Sequence, residues 1–173
     1  MLAGRTVGRS ERPRAGQGAA RGRQNARVTA IRRARPTDSE TVLTLVREFN
    51  AIDGHDHDDA RVGRALAPLL ADDEYGQVWF INGPDDEPAG YAVLCWGYSL
   101  ESGGREAVLD EIYVRDRGLG LGSAALPALL AACRAAGVLR VFLETEAPND
   151  AARRFYARHG FQLEQSIWMT QEL

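Results

Sequence analysis

The chain has 173 residues, 45% hydrophobic and 26% charged, which suits one domain with a buried core and is too apolar for a disordered chain. No run approaches the roughly 18 apolar residues of a membrane span, and no early apolar segment ends in a small-residue cleavage site, so a cytoplasmic protein with no membrane partner is expected. Charge is split by position: residues 1–35 hold ten arginines and one acid, residues 36–173 eleven arginines and twenty-three acids, and lysine is absent.

Residues 1–27, rich in Arg and Gly and without hydrophobic periodicity, are expected to be a disordered tail. Such a tail suits a nucleic-acid-binding arm, a transit peptide or translated upstream sequence. The last reading places the initiator at Val28 and the folded domain at 28–173. A short alternating strand begins at Val28, and Thr37 with Glu40 has the spacing of a capping box opening a helix with Val42, Leu45, Val46 and Phe49 on one face. A second helix follows over about 58–71, with Pro68 inside it. Three strands come next, at 77–81, 89–98 and 106–114, joined by turn-forming sequence and so read as an antiparallel meander. A glycine-rich turn then leads into an Ala/Leu helix to about Ala136 that contains Pro127. A buried strand at 138–145, a helix at 149–159 and a last β-hairpin over 161–165 and 167–173 complete the order. The fold class expected is mixed α/β, about seven strands flanked by four helices, with one parallel right-handed crossover near the end.

The segment from Ile112 to Ser123 runs from a strand end through Gly118, Gly120 and Gly122 into a helix. Glycines let backbone N–H groups approach a phosphate, and the helix N-terminus adds about half a positive charge, so this is an anion site. Gly120-x-Gly122-x-x-Ala125 also satisfies a dinucleotide fingerprint, with Glu144 ending the next strand. Only 29 residues follow Glu144, too few for the rest of a dinucleotide-binding sheet. Cys95 and Cys133 stand in predicted elements away from any metal-ligand spacing and read as buried thiols, and no disulfide is implied. Within Asp53–Asp59, His55 and His57 with flanking acids could ligate a metal but lack further ligands at recognised spacing, so no metal is expected.

Arg117-Gly-Leu-Gly120-Leu-Gly122 together with the segment from Asn149 to Phe161, separated by one helix and one strand, resembles the two signature motifs of the GNAT-type, acetyl-CoA-dependent N-acetyltransferases, over about residues 28–173. The resemblance implies acetyl-CoA as donor and direct transfer to the primary amine of a small-molecule or peptide acceptor. It implies that the backbone of Ile112 and Val114 meets the acetyl and pantetheine amides, with Tyr113 between them also among the cofactor-binding residues, and that Arg117, Gly118, Leu119, Gly120, Leu121, Gly122 and Ser123 hold the pyrophosphate. Asn149 and Phe155 would border the pantetheine arm. Tyr156 resembles the family's general acid toward the departing thiolate, and a phenol stays neutral at pH 7 for that role.

An ammonium has no lone pair, so a base is needed, and Asp110 and Glu111 are the candidates. The acidic pair resembles that of diamine acetyltransferases. Adjacent strand residues point to opposite faces unless a bulge intervenes; Glu111 has the longer reach and Asp110 stays open. Two departures from the family pattern stand out. Only two residues separate Val114 from Arg117, so Arg115-x-x-Gly118-x-Gly120 offers a second register, and Pro127 lies inside the helix after the glycines. The acidic body would steer a cationic acceptor, and His159 beside Gly160 reads as a helix C-terminal cap. A non-catalytic acyl-CoA sensor is the alternative function, a homodimer remains open, and nucleic acid enters only through the 1–27 tail.

Overall fold

The computed structural model describes residues 30–54 and 56–173; the expectations for the tail, for an initiator at Val28 and for His55 lie outside them. Five strands form one sheet in the order β1-β2-β3-β4-β5: Ile31–Arg33, Gly76–Asn82, Pro88–Ser99, Gly104–Val114 and Arg140–Phe142. The first four are antiparallel neighbours, and β5 pairs parallel to β4. The expected meander and parallel crossover are therefore both present.

Four helices cover the two faces. Helices α1 (Ser39–Asp53) and α2 (Asp59–Ala71) bury Val42, Leu45, Val46, Leu66 and Leu70 against Val78, Phe80, Tyr91, Val93 and Tyr113. Helix α3 (Leu121–Ala135) buries Ala125, Leu126, Leu129 and Cys133 against Ile81, Ala92, Leu94, Ala107 and Leu109, and α4 (Asp150–Arg158) lays Phe155 and Tyr156 on the same side. The strands supply both layers because alternate residues face opposite ways, residues 91 and 93 toward α1 and α2, residues 92 and 94 toward α3.

Three local expectations are corrected. The Thr37/Glu40 capping box does not form: a 3-10 turn over Pro36–Asp38 precedes α1, and the Asp38 carboxylate accepts the Arg35 N–H at 2.9 Å and the Arg32 guanidinium at 3.0 Å. The helical entry therefore starts at Arg35, two residues before Thr37, with Asp38 capping the Arg35 amide. The strand expected over 138–145 contracts to Arg140–Phe142. The terminal hairpin is absent, so the sheet has five strands where about seven were expected. Its sequence explains the loss: Ile167, Trp168 and Met169 run consecutively without alternation, assign no inward face, and are all exposed. Trp168 stacks on Phe142 at 6.0 Å, and Glu164 meets Arg140, so the segment rests beside β5 without pairing to it.

Candidate active site

Two features of β4 create the site. The first is a bulge: Leu94 pairs with Leu109 and Val93 with Glu111, leaving Asp110 as the extra residue. An extra residue cancels one step of the period-2 alternation. Asp110 and Glu111 therefore share a face, and both line one cavity with Val93, Val42 and Val46. The opposite-face expectation fails, and the intervening bulge is the reason.

The second feature is a parting of strands. β5 pairs with β4 only at Glu106, Ala107 and Val108. Beyond Val108 that side of β4 is open. Arg115 N–H donates to the Ala89 carbonyl at 2.9 Å, so residue 115 bonds toward β3. Since antiparallel strands alternate bonding direction, Tyr113 also bonds toward β3 while Ile112 and Val114 turn their N–H and C=O groups into the gap. Those two are the backbone positions expected to meet a pantetheine arm. Tyr113, between them, bonds its backbone toward β3, and its ring is buried on the α1 face with Phe49 and Tyr91.

The α3 side of the gap carries the glycine turn. Gly118 and Gly120 have φ of 101° and 75°, a region only glycine enters without strain. A Cβ on Gly122 would lie 3.6 Å from the Phe155 ring, an ordinary contact, so this position demands neither a special backbone conformation nor the absence of a side chain. A turn spans residues 117 and 118, and the amides of Gly120, Leu121, Gly122 and Ser123, at the start of α3, have no backbone acceptor among the described residues. Orphan amides at a helix start are an anion cradle.

The two arginines beside the glycine turn differ in their partners. Arg115 grips Glu48 of α1 with Nε and Nη2 at 2.7 and 2.8 Å and donates to the Pro88 carbonyl at 3.0 Å. The pair holds Glu48 below the usual carboxylate range, with burial opposing. Arg117 makes no side-chain hydrogen bond or ion pair among the described residues, whereas the Arg115 guanidinium is engaged by Glu48.

Asn149 caps α4, its side-chain oxygen accepting the Ala152 N–H at 3.0 Å. Asn149→Ala is expected to lower stability by about 1 kcal/mol while Asn149→Asp retains it, a difference that urea unfolding resolves. At the other end His159 is the C-cap, as expected, with Nδ1 2.9 Å from the Phe155 carbonyl. Tyr156 packs edge-on between Phe155 and Phe161, at 5.1 and 5.6 Å, and burial pushes its phenol up to about 12. Its hydroxyl makes no hydrogen bond among the described residues.

On the opposite side, the cavity of about 610 Å³ is walled by aliphatic residues of α1 and α2, with Asn50, Asp56 and Arg61 also in its lining. Asp110 is open to the solvent of this cavity yet ringed by protein at longer range, and that desolvation raises its pKa. Glu111 accepts a 2.6 Å hydrogen bond from the hydroxyl of fully buried Tyr91. His57 is engaged in bracing the helix pair, with Nδ1 2.8 Å from Asn50 and Nε2 2.6 Å from Asp59, which Arg47 also holds. Among the described residues no group of three or more His, Cys, Asp or Glu is placed to hold a metal ion.

The glycine turn thus lies on the α3 side of β4, and the two carboxylates line a cavity on the α1 and α2 side. Residues 41–161 match the model of the acetyltransferase (GNAT) family.

The chain belongs to the GNAT acetyltransferase family.

Solved structures agree. The chain is 33% identical to a protein of Arthrobacter sp. FB24 described as an acetyltransferase, covering 83% of this chain and 95% of that one at a TM-score of 0.72. It is 31% identical to the integron cassette protein HFX_CASS3 from the Cole Harbour Salt Marsh metagenome, covering 84% and 91% at 0.75. An aminoglycoside acetyltransferase, meta-AAC0020, from an uncultured soil sample and in complex with sisomicin, shares the fold at 18% identity, 83% and 95% coverage and 0.67. No curated protein matches. As a GNAT acetyltransferase the chain is an acyl-transfer enzyme, and its five-stranded mixed sheet with four helices is that family's fold.

Sequence alone did not point to Tyr91, Glu48 or the lining residues Asn50 and Arg61, whereas Asp56 belongs to the Asp53–Asp59 loop already singled out. For Tyr91 the one signal was a hydroxyl within an otherwise aliphatic run; the others depend on helix placement that no local pattern encodes.

Proposed function

We propose that the chain is an acetyl-CoA-dependent N-acetyltransferase that passes the acetyl group directly to a primary amine held in the cavity beneath α1 and α2. The observation that carries this reading is the opening in the sheet beyond Val108, with the glycine cradle on one side and the paired carboxylates on the other.

The residues fit the donor. Amides from Arg117 to Ser123 and the free Arg117 guanidinium match a pyrophosphate, the inward N–H and C=O groups of Ile112 and Val114 match the amides of an extended pantetheine arm, and Asn149 and Phe155 border it. An extended chain pairing with an open strand edge gains register from main-chain hydrogen bonds. One carboxylate of the Asp110/Glu111 pair removes a proton from the ammonium. The nitrogen lone pair then attacks the thioester carbon, the C–N bond forms, the C–S bond breaks, sulfur leaves with the electron pair, and the second N–H proton leaves the nitrogen to give the neutral amide and passes through solvent to the thiolate.

Tyr156 donates its O–H toward that sulfur. At about 12 its phenol stays protonated throughout the working range, so it is always available as a donor. It is also a weaker acid than a free thiol, whose pKa is about 8.5, so its main contribution is a hydrogen bond to the developing thiolate. Cys95 and Cys133, whose thiols burial pushes up to about 11, are protonated and suit no acyl-enzyme role. Juxtaposition of the two reactants contributes several kcal/mol.

The test is thiol release from acetyl-CoA with a panel of primary amines: propylamine, 1,4-diaminobutane, benzylamine, an aminoglycoside and a peptide with a free N-terminus. Amine-dependent release with a stoichiometric N-acetyl product is expected. Acetyl-CoA binding without release on any amine would favour a sensor.

A further inference from the structure

We propose that the acceptor is an apolar monoamine, one ammonium on an alkyl or arylalkyl body, whose body lies along α2 while its nitrogen sits at the carboxylates of the β4 bulge. This deepens the acetyltransfer reading above and rests on it.

The side of α2 that faces the cavity consists of Val62, Ala65, Leu66 and Leu69. Offsets of three, four and seven residues put them on one helical face. Leu66 is buried, but Val62 and Leu69 are only half-buried and Ala65 is exposed, so the stripe presents apolar surface to the cavity. Helix α1 faces it with Val42, Val46 and Asn50, each four residues from the next. The wall is therefore aliphatic except at the Asn50 end, and the Asn50 amide is already engaged 2.8 Å from His57 Nδ1. Apolar walls with a few polar groups at fixed places are the usual make-up of a small-molecule pocket, in which the polar groups set orientation.

The charges stand at the ends of this stripe. A Cβ added at Gly76 would touch both Leu69 Cδ2 and Cys95 Cα at 3.0 Å, and the Cys95 thiol is pushed up partly by Asp110 and Glu111. The carboxylates thus belong to the Leu69 end. Arg61 stands in the first turn of α2 and donates to the Asp56 carbonyl at 3.1 Å. Helix rise places Arg61 about 12 Å from Leu69. Asp56 and Arg61 carry opposite charges, so the lining has net negative charge only at the bulge.

That layout selects by charge number as well as by apolarity. One ammonium finds its counter-charge at the bulge, and each methylene behind it leaves water for the α2 stripe. A second ammonium on the same body would come to rest on the aliphatic wall, losing hydration without gaining a partner. Preference for the monoamine over the diamine therefore comes from both terms, attraction of the one and exclusion of the other.

The test is kcat/KM for thiol release from acetyl-CoA with propylamine, butylamine and hexylamine, and with 1,6-diaminohexane, which matches hexylamine in length and adds one ammonium. A rise of about fourfold per added methylene is expected, with hexylamine at least tenfold better than 1,6-diaminohexane. Ala65→Asp puts an anion into the stripe at an exposed helix position and should reverse that preference. Ala65→Asn, of the same size without the charge, should weaken hexylamine without a gain for the diamine. A flat response to chain length, a diamine, aminoglycoside or peptide used better than hexylamine, or a preference unmoved by Ala65→Asp, overturns the proposal while leaving acetyltransfer intact. No release with any amine overturns both.

Discussion

Tyr156→Phe is expected to lower kcat by about 10²-fold, with acetyl-CoA affinity and folding stability nearly unchanged. A well-placed general acid or hydrogen-bond donor to developing charge contributes roughly 10²–10⁴-fold, and the phenol's elevated pKa of about 12 places this one at the lower end. The ring packs against Phe155 and Phe161, and phenylalanine keeps that packing. Because the hydroxyl has no partner among the described residues, its removal orphans nothing. The expected signature is therefore a loss in kcat with no shift in unfolding temperature. Acetyl donors with a low-pKa leaving thiol separate the roles further: with an aryl thioester in place of acetyl-CoA the penalty should shrink, since the leaving thiolate then needs less help. A penalty of the same size for both donors would show that Tyr156 acts on something other than the leaving group.

The second large effect concerns the cradle, where neighbouring glycines should respond in opposite ways. Gly120→Ala forces a Cβ onto a backbone with φ of 75°, which costs an L residue roughly 1–2 kcal/mol. The loop escapes that cost by turning its amides away, so acetyl-CoA affinity should fall tenfold or more. Gly122→Ala adds a methyl group 3.6 Å from the Phe155 ring with no conformational penalty, and affinity should stay within about twofold. Arg117→Ala removes one charge-assisted contact, worth about 1.5–3 kcal/mol, or 10–100-fold in affinity. Arg115→Ala should instead lower stability by freeing Glu48 from its bidentate partner, with little effect on the donor. Equal losses at Gly120 and Gly122 would mean that space around the loop, and not amide direction, governs binding.

Much of this was legible from residues alone, and what was not has physical causes. The glycine turn, its helix and the Asn149 helix are local patterns, so their place and type follow from spacing. The relation of Asp110 to Glu111 is different: period-2 logic puts them apart, and only the pairing of Leu94 with Leu109 and Val93 with Glu111 reveals the extra residue that brings them together. Tyr91 could not be linked to Glu111 for the same reason, since the contact depends on the register of two strands across that bulge. Choosing between Arg115 and Arg117 required Glu48, sixty-seven positions away on another element. The terminal hairpin was drawn from β-rich composition, yet strand formation needs an assignable inward face, and Ile167, Trp168 and Met169 offer none.

All of these expectations depend on the amides of residues 117–123 receiving the diphosphate of acetyl-CoA. Isothermal titration of acetyl-CoA into the wild-type chain, repeated with Gly120→Ala and Gly122→Ala, tests that dependence directly. One molecule bound per chain, weakened at least tenfold by the first substitution and kept by the second, is the predicted result. No heat of binding in the wild type, or binding indifferent to Gly120→Ala, would contradict it.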